Sequence, residues 1–357
     1  RCLVGSEMCI RDRKWIIEAI SDSTLYPIYY TISLYANTGQ IAPEQMTIGF
    51  FDYVILGQGD AAKVSEETGI PVELVERIRK DVSYWYPLDI NLGGKEHMTV
   101  HFPVFLFNHQ AILPEDMQPR GITVNWYVTG KNSDKISKSK GGAQPIPGAA
   151  AKFGVDAMRL YYAHVASMFV DVEWSEDTVM TYKQRVDRVY GAVSDLIAGE
   201  SDAPAGEMDS WLLSRFNRHI QEIRASMEKY DLRQMCTTVY FDMLNDIRWY
   251  TRRGGSNRAT IQKALRIWIQ AMMPVTPHTA EELWEQAGFE GLVSAQELPE
   301  ADPGLMSASS EHGEDMLRDL MSDITEIRKI AGIEAKRIVL YTLSLIHISE
   351  PTRHLRI

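Results

Sequence analysis

Three lysines and two hydroxyls crowd the segment Lys135-Ile136-Ser137-Lys138-Ser139-Lys140-Gly141. An ammonium is a compact point charge on a long stem, suited to a triphosphate whose charge builds on the departing pyrophosphate in the transition state. Serine and glycine let backbone N–H groups come close to the same oxygens. A solvated basic loop has the same composition, so placement decides between the two. The run follows a strand and precedes the helical stretch Gly154–Tyr161, which favours phosphate. No G-x-x-x-x-G-K-[ST] sequence occurs in the chain, so a P-loop is not the phosphate site.

A second constellation is Gly93-Gly94-Lys95-Glu96-His97-Met98-Thr99-Val100-His101. Two glycines at a strand end allow a ribose or base to lie on bare backbone, and a carboxylate at the start of the next helix can accept from sugar hydroxyls. On a helix His97 and His101 share a face, a spacing that also suits a metal, but no third ligand stands near and no metal is expected. Lys95 reads as solvated.

The elements that must position these groups alternate. Leu88–Leu92 reads as a strand, Glu96–Leu113 as a helix and Ile122–Thr129 as a second strand, while Glu66–Ser83 has helical spacing. Lys14–Leu56 reads as a strand end feeding a helix. Strands interleaved with helices argue for a mainly parallel sheet with its ligand at the carboxyl ends. Beyond about Asp171 strand signals cease. Ser175–Leu196, Ser210–Lys229, Leu232–Arg252 and Ser256–Met273 are amphipathic at bundle length. Thr276-Pro277 opens a further helix with Thr276 as its cap. Val293–His312 reads as a linker, followed by a helix over Glu314–Ile330 and a strand from Lys336 to Tyr341.

The 357 residues are 45% hydrophobic and 24% charged, which excludes a disordered chain and accommodates two domains. No apolar run is long enough to span a bilayer. The net charge of -11 leaves any nucleic-acid contact to a local basic patch. Leu3–Arg13 and Leu343–Arg353 back-translate to one DNA sequence read in opposite directions, similar to a sequencing-library adapter, so 1–13 and 343–357 are expected to be foreign tails flanking a natural fragment, Lys14–Thr342. Setting them aside leaves Cys236 as the single thiol, in keeping with a reducing cytoplasm.

Lys135–Ser139 resembles the KMSKS loop of class I aminoacyl-tRNA synthetases, with Ile136 in place of Met. Gly93–His101 is similar to the G-G-x-E-H-x-x-x-H segment of the leucyl branch of that family, archaeal and eukaryotic type. Asp22-Ser23-Thr24-Leu25-Tyr26 and Phe105-Leu106-Phe107-Asn108-His109 resemble that branch's Asp-Ser-Ser-Trp-Tyr and Phe-Asn-His strings. Asp209–Asn217, Asn245–Tyr250 and Pro274–Trp284 resemble its anticodon-binding helices. The resemblance implies the second half of a Rossmann-like α/β catalytic domain over 14–170 and an all-α anticodon-binding bundle over 171–292. A linker and the start of a C-terminal domain would follow over 293–342.

By the same resemblance Lys138 is the main catalytic residue on the pyrophosphate and Lys135 assists. Gly93, Gly94, Glu96, His97, His101, Ser137 and Ser139 would line the ATP site, with Mg²⁺ carried on the phosphates. Asp22, Ser23, Tyr26, Asn108 and His109 are candidates for the substrate pocket. Arg248, Arg252, Arg253 and Arg258 form a basic cluster that could contact RNA phosphates, or else could satisfy helix ends. The implied activity is ATP-dependent ligation of leucine to tRNA-Leu by a cytoplasmic monomer, with this fragment inactive alone. Two departures stand out: Trp126 where a small residue is usual, and Gly142 for a common Asn. An isoleucyl, valyl or methionyl enzyme and a non-catalytic tRNA-binding relative are the alternatives.

Overall fold

A computed structural model describes residues 19–130, 146–166, 170–201, 203–332, 337 and 339. The chain forms two compact units, one of residues 1–188 with 226–237 and one of 189–225 with 238–357. No helix among the described residues is long and apolar enough to cross a membrane.

In the first unit, α1 (Ala19–Asn37) supplies the helix expected after a strand end; that strand end, in 15–20, lies outside the described residues except for Ala19 and Ile20, which are helical. Ile28, Ile32 and Tyr35 recur every three or four residues and are buried. They join Phe50 and Val54 of α2 (Ile48–Leu56), Val64 of α3 (Ala61–Thr68), and Val75, Ile78 and Val82 of α4 (Val72–Trp85) in one core. The single helix read over Glu66–Ser83 is two, α3 and α4. Gly69 takes a left-handed φ of 73° as the C-cap, and Pro71 has no N–H with which to continue the ladder.

Strand β1 (Asn91–Gly94) pairs in parallel with β2 (Ile122–Asn125), Gly93 opposite Val124 and Gly94 opposite Asn125. Helix α5 (His101–Ile112) connects them, giving a β-α-β unit. The glycine pair lies inside the strand rather than after it, because the ladder with β2 runs on to Gly94. The expected helix from Glu96 is also interrupted. Lys95–Met98 is a 3₁₀ turn, and Val100 breaks it at φ -128°, ψ -68°. His97 and His101 therefore do not lie on one continuous helix.

The run Ile122–Thr129 divides at Trp126-Tyr127. Its second piece, β3 (Val128–Thr129), pairs in parallel with β4 (Val172–Glu173), a strand beyond the point where strands were expected to stop. Helices α6 (Ile146–Phe153) and α7 (Val155–Val165) pack Phe153 and Tyr161 against Val172 and Val179. Helix α8 spans Glu176–Ala198, and the short helix α10 (Leu232–Thr237) meets α7. There Arg233 donates to the carbonyls of His164 and Val165 at the α7 C-terminus, at 3.0 and 2.9 Å.

The second unit is helical: α9 (Glu207–Glu228), α11 (Met243–Arg252), α12 (Arg258–Met272), α13 (Pro277–Gln286) and α14 (Ala308–Ala331). Trp211, Phe216, Leu244, Trp268 and Trp284 are buried. Each such side chain contributes roughly 1.5–3 kcal/mol of transfer free energy. The stretch expected as one helix from Leu232 to Arg252 contains a π turn, Thr238–Asp242, between α10 and α11. Thr276 stands at the N-cap of α13, but its hydroxyl makes no cap bond and pairs with the Tyr240 hydroxyl at 2.7 Å.

The expected linker is tied down. Asn217 accepts from Asp302 N at 2.7 Å, Arg224 donates to Leu298 and Pro299 carbonyls, and α14 begins at Ala308 with Ser307 as its cap. Of the strand expected over Lys336–Tyr341, only residues 337 and 339 are described, and neither is in a strand.

Charged groups fasten α14. Asp246, 2% exposed, accepts from Arg215 Nε and His219 Nε2 at 2.9 Å and from Arg318 at 2.8 Å. Burial alone would raise the Asp246 carboxyl, yet His219 and the two arginines overcome it and hold it at about 2. Burial likewise pulls His219 down, but hydrogen bonds to Asp246 and Glu222 leave it above its ordinary range. A raised histidine contributes stability fully below about pH 6.5, and this is lost as pH rises through the raised value. A depressed aspartate contributes above about pH 4 and loses it as pH falls toward the depressed value. Thermal unfolding of the second unit should therefore peak between about pH 4 and 6.5 for this pair and decline on either side. A melting temperature that is flat across that range and up to pH 9 would contradict it.

Candidate functional site

The carboxyl ends of β1 and β2 form the edge where open α/β sheets take ligands. Each glycine of β1 admits a neighbour that a side chain would displace. A Cβ on Gly93 would lie 2.6 Å from Phe102 Cζ, and one on Gly94 would lie 2.9 Å from Glu96 Oε2. The Glu96 carboxylate is thus folded back over the glycine pair, while its side chain stays exposed. His97 Nδ1 lies 3.0 Å from Gly94 N and 3.3 Å from Gly94 O, so it accepts from the one or donates to the other according to its tautomer, and either way the ring is tied to the glycine. His101 meets His97 edge to face at 5.3 Å and is pulled down by burial and then by His97. No group of three His, Cys, Asp or Glu side chains suited to a metal occurs among the described residues.

Phe102 is buried, so it cannot swing away from a methyl group at position 93. Gly93→Ala should destabilise the first unit by about 1–3 kcal/mol through overpacking, while Gly94→Ala should be far milder because Glu96 can rotate outward. Urea unfolding of the two variants checks the order. Equal losses would show that the Phe102 contact does not fix the turn.

Lys95 is half-buried rather than free in solvent. Its ammonium stands 3.9 Å from the Trp126 ring centroid, a contact not expected from the sequence. The signal for it was the register: Gly94 pairs with Asn125, so the next residue on each chain is Lys95 and Trp126. Lys135, Ser137, Lys138 and Ser139 lie outside the described residues, as does the Asp22 side chain.

The candidate substrate residues separate into two kinds. Ser23 and Tyr26 belong to α1. Ser23 donates back to the Ile20 carbonyl at 2.9 Å, so it is a helix-interior residue rather than a cap. Tyr26 is exposed and meets Tyr30 edge to face. Asn108 and His109 sit on α5. Asn108 Nδ2 donates to the buried Thr24 hydroxyl at 2.7 Å, tying α5 to α1. His109 is wholly buried. A carbonyl can only accept, so His109 Nδ1–H donates to Phe105 O at 2.9 Å and Nε2 takes the Tyr86 hydroxyl at 3.3 Å. Burial, outweighing the bond to Phe105, lowers His109 and keeps it neutral. Thr24 and Tyr86 complete this pin, and nothing in their spacing announced it.

The four arginines do not act as one patch. Arg258 donates to the Ile197 and Gly199 carbonyls at 2.9 and 2.8 Å, closing the end of α8. Arg253 forms a two-pronged pair with Glu314 at 3.1 and 3.2 Å. Arg252 lies 5.8 Å from the Trp249 ring, and Arg248 is exposed.

Residues 209–339 match the family described as the anticodon-binding domain of tRNA ligase. The chain is 41% identical over 92% of its length to a leucine–tRNA ligase of Methanocaldococcus jannaschii, of which it covers 35%. It is 39% identical over 92% to one of Archaeoglobus fulgidus and 36% identical over 93% to one of Methanosarcina mazei, covering 34% of each. The chain thus spans about a third of the length of these curated relatives. Among solved structures, a LeuRS–tRNA–LeuAMS ternary complex from Agrobacterium radiobacter K84 aligns with TM-score 0.55 at 23% identity, covering 62% of this chain and 30% of that one. That likeness is one of fold.

Proposed function

We propose, from homology to leucine–tRNA ligases over nine-tenths of this chain, that it is the part of such a ligase containing the second half of a Rossmann-like catalytic domain and the anticodon-binding bundle. Residues 14–170 would be the catalytic half, 171–292 the bundle and 293–342 the approach to a C-terminal domain. The complete gene product would join leucine to ATP as leucyl-adenylate and pass the leucyl group to tRNA-Leu, acting as a cytoplasmic monomer.

One observation carries this reading. The parallel pairing of β1 with β2 sets the bare Gly93-Gly94 end beside Asn125, from which the chain runs on toward the lysine segment 135–140. A nucleotide lying on the glycines would have Glu96 within reach of its sugar hydroxyls and its phosphates directed toward Lys135 and Lys138. Ser137 and Ser139 would add donors to the same oxygens. His97, tied to Gly94, and His101 would wall the pocket. Mg²⁺ would arrive with the phosphates. In-line attack by the leucine carboxylate on the α-phosphate then expels pyrophosphate, and catalysis rests on positioning and on the lysine charges. Tyr26 faces solvent on α1 and is the described candidate for contact with the amino acid, while Asn108 and His109 hold α5 behind it. In the bundle, Arg248 and Arg252 are the arginines left to meet tRNA phosphates.

The test is amino-acid-dependent exchange of pyrophosphate into ATP by the complete gene product. Exchange with leucine, and not with isoleucine, valine or methionine, supports the proposal. Exchange driven by another of these amino acids, or none at all, rejects it.

A further inference from the structure

The Lys95 ammonium lies 3.9 Å from the centre of the Trp126 ring and 5.6 Å from that of Tyr127. The two residues close the ends of adjacent parallel strands, one step past the Gly94–Asn125 pair. They therefore stand at the sheet edge beside the glycines, in the place where a nucleotide would lie. Trp126 is only half-buried, yet its indole N–H is enclosed and has no acceptor among the described residues. A tryptophan recruited for packing usually satisfies that donor. The ring face carries the tip of a flexible lysine stem with a single charge.

We propose that the Trp126 ring is a stacking platform for the purine base of the bound nucleotide, and that the Lys95 ammonium occupies the platform until the base arrives. This rests on the nucleotide site proposed above. Two magnitudes make the exchange favourable: a cation over a partly exposed aromatic ring is a weak contact, whereas a base stacked on an aromatic side chain is a stronger one. A bulky aromatic at this position then acts as a specificity device for the base.

ATP binding to the complete gene product, measured by calorimetry without leucine or tRNA, tests this. Trp126→Ala should weaken ATP about 10-fold, while Trp126→Phe, which keeps a π face, should stay within about 3-fold of the parent. Inorganic tripolyphosphate has no base, and its binding should be the same in the parent and Trp126→Ala. Lys95→Ala, which bares the ring, should bind ATP no more weakly than the parent. Unchanged ATP affinity in Trp126→Ala, or equal weakening of ATP and tripolyphosphate, overturns the platform. So does a Phe variant as weak as the Ala variant. A 10-fold loss in Lys95→Ala would make the lysine a ligand and overturn its role as occupant. Leucine-dependent exchange is read in parallel. ATP binding with this Trp126 dependence but no exchange would refute the ligase reading and leave the platform standing, and exchange with no Trp126 dependence would do the reverse.

Discussion

Lys138→Ala in the complete gene product lowers leucine-dependent pyrophosphate exchange by about 100- to 1000-fold, the loss that follows removal of one donor aimed at charge developing in a transition state. The expectation comes from residue chemistry. The segment Lys135–Lys140 offers three ammonium groups, and the one matching the second lysine of the KMSKS pattern is asked to neutralise the departing pyrophosphate. The loss should fall mainly on the rate and little on the ATP concentration at half-saturation, because charge on the bridging oxygen grows only as its bond to phosphorus breaks. Lys138→Arg restores charge but not a point charge, and should recover only part of the rate. Circular dichroism and melting should match the parent. Exchange within about 3-fold of the parent in Lys138→Ala would remove this residue from the chemistry.

The second large effect is on stability. Asp246→Ala strands three cationic groups that converge on one buried carboxylate: Arg215, His219 and Arg318. Removing one member of a buried ion pair costs about 3–5 kcal/mol, because the partners stay desolvated and unpaired. Arg215 and Arg318 keep 20% and 28% of their side chains exposed, so water can partly replace the carboxylate, which places the expected loss at the lower end. Urea unfolding of the chain should show it as a lower midpoint in the transition of the second unit. The His219 ring should then titrate at lower pH by NMR, since burial pulls it down and one of the two carboxylates that raised it has gone. A stability change below about 1 kcal/mol would mean that α14 is held by its other contacts, Glu311 with Arg218 and Glu314 with Arg253 among them, and not by this node.

Much of the helical half was legible because its signal is local. Apolar residues three and four apart in 210–229 and 256–273 give α9 and α12 nearly to their ends. The β-α-β unit was legible too, as a glycine pair following an alternating run. Its details were not. Sequence spacing carries no information on register, and it is register that draws Gly93 and Gly94 into the ladder and brings Lys95 to Trp126. A helical reading of Glu96–Leu113 passed over the break at Val100, although Pro103 marks it: it has no N–H for the Thr99 carbonyl, so a helix can only begin afresh within the turn before it. The Asp246 node escaped notice for another reason. Arg215 and His219 are visibly one turn apart, but Asp246 and Arg318 lie in other helices, and only the packed bundle joins them. The lysine segment, the strongest chemical signal in the sequence, rests on residue types and on resemblance alone.

Arg258 seals the end of α8 and Arg253 is held by Glu314. Binding of a polyanion releases condensed counterions only for the positive groups that actually reach its backbone, about one per contact. Of the four clustered guanidiniums, two are already satisfied within the protein, so this cluster can steepen the ionic-strength dependence of RNA affinity by a slope of only about 2. On the proposed reading, RNA contact made through this cluster by a chain of net charge -11 would draw little on counterion release, and that part of the affinity should survive rising salt better than that of a basic, backbone-clamping protein.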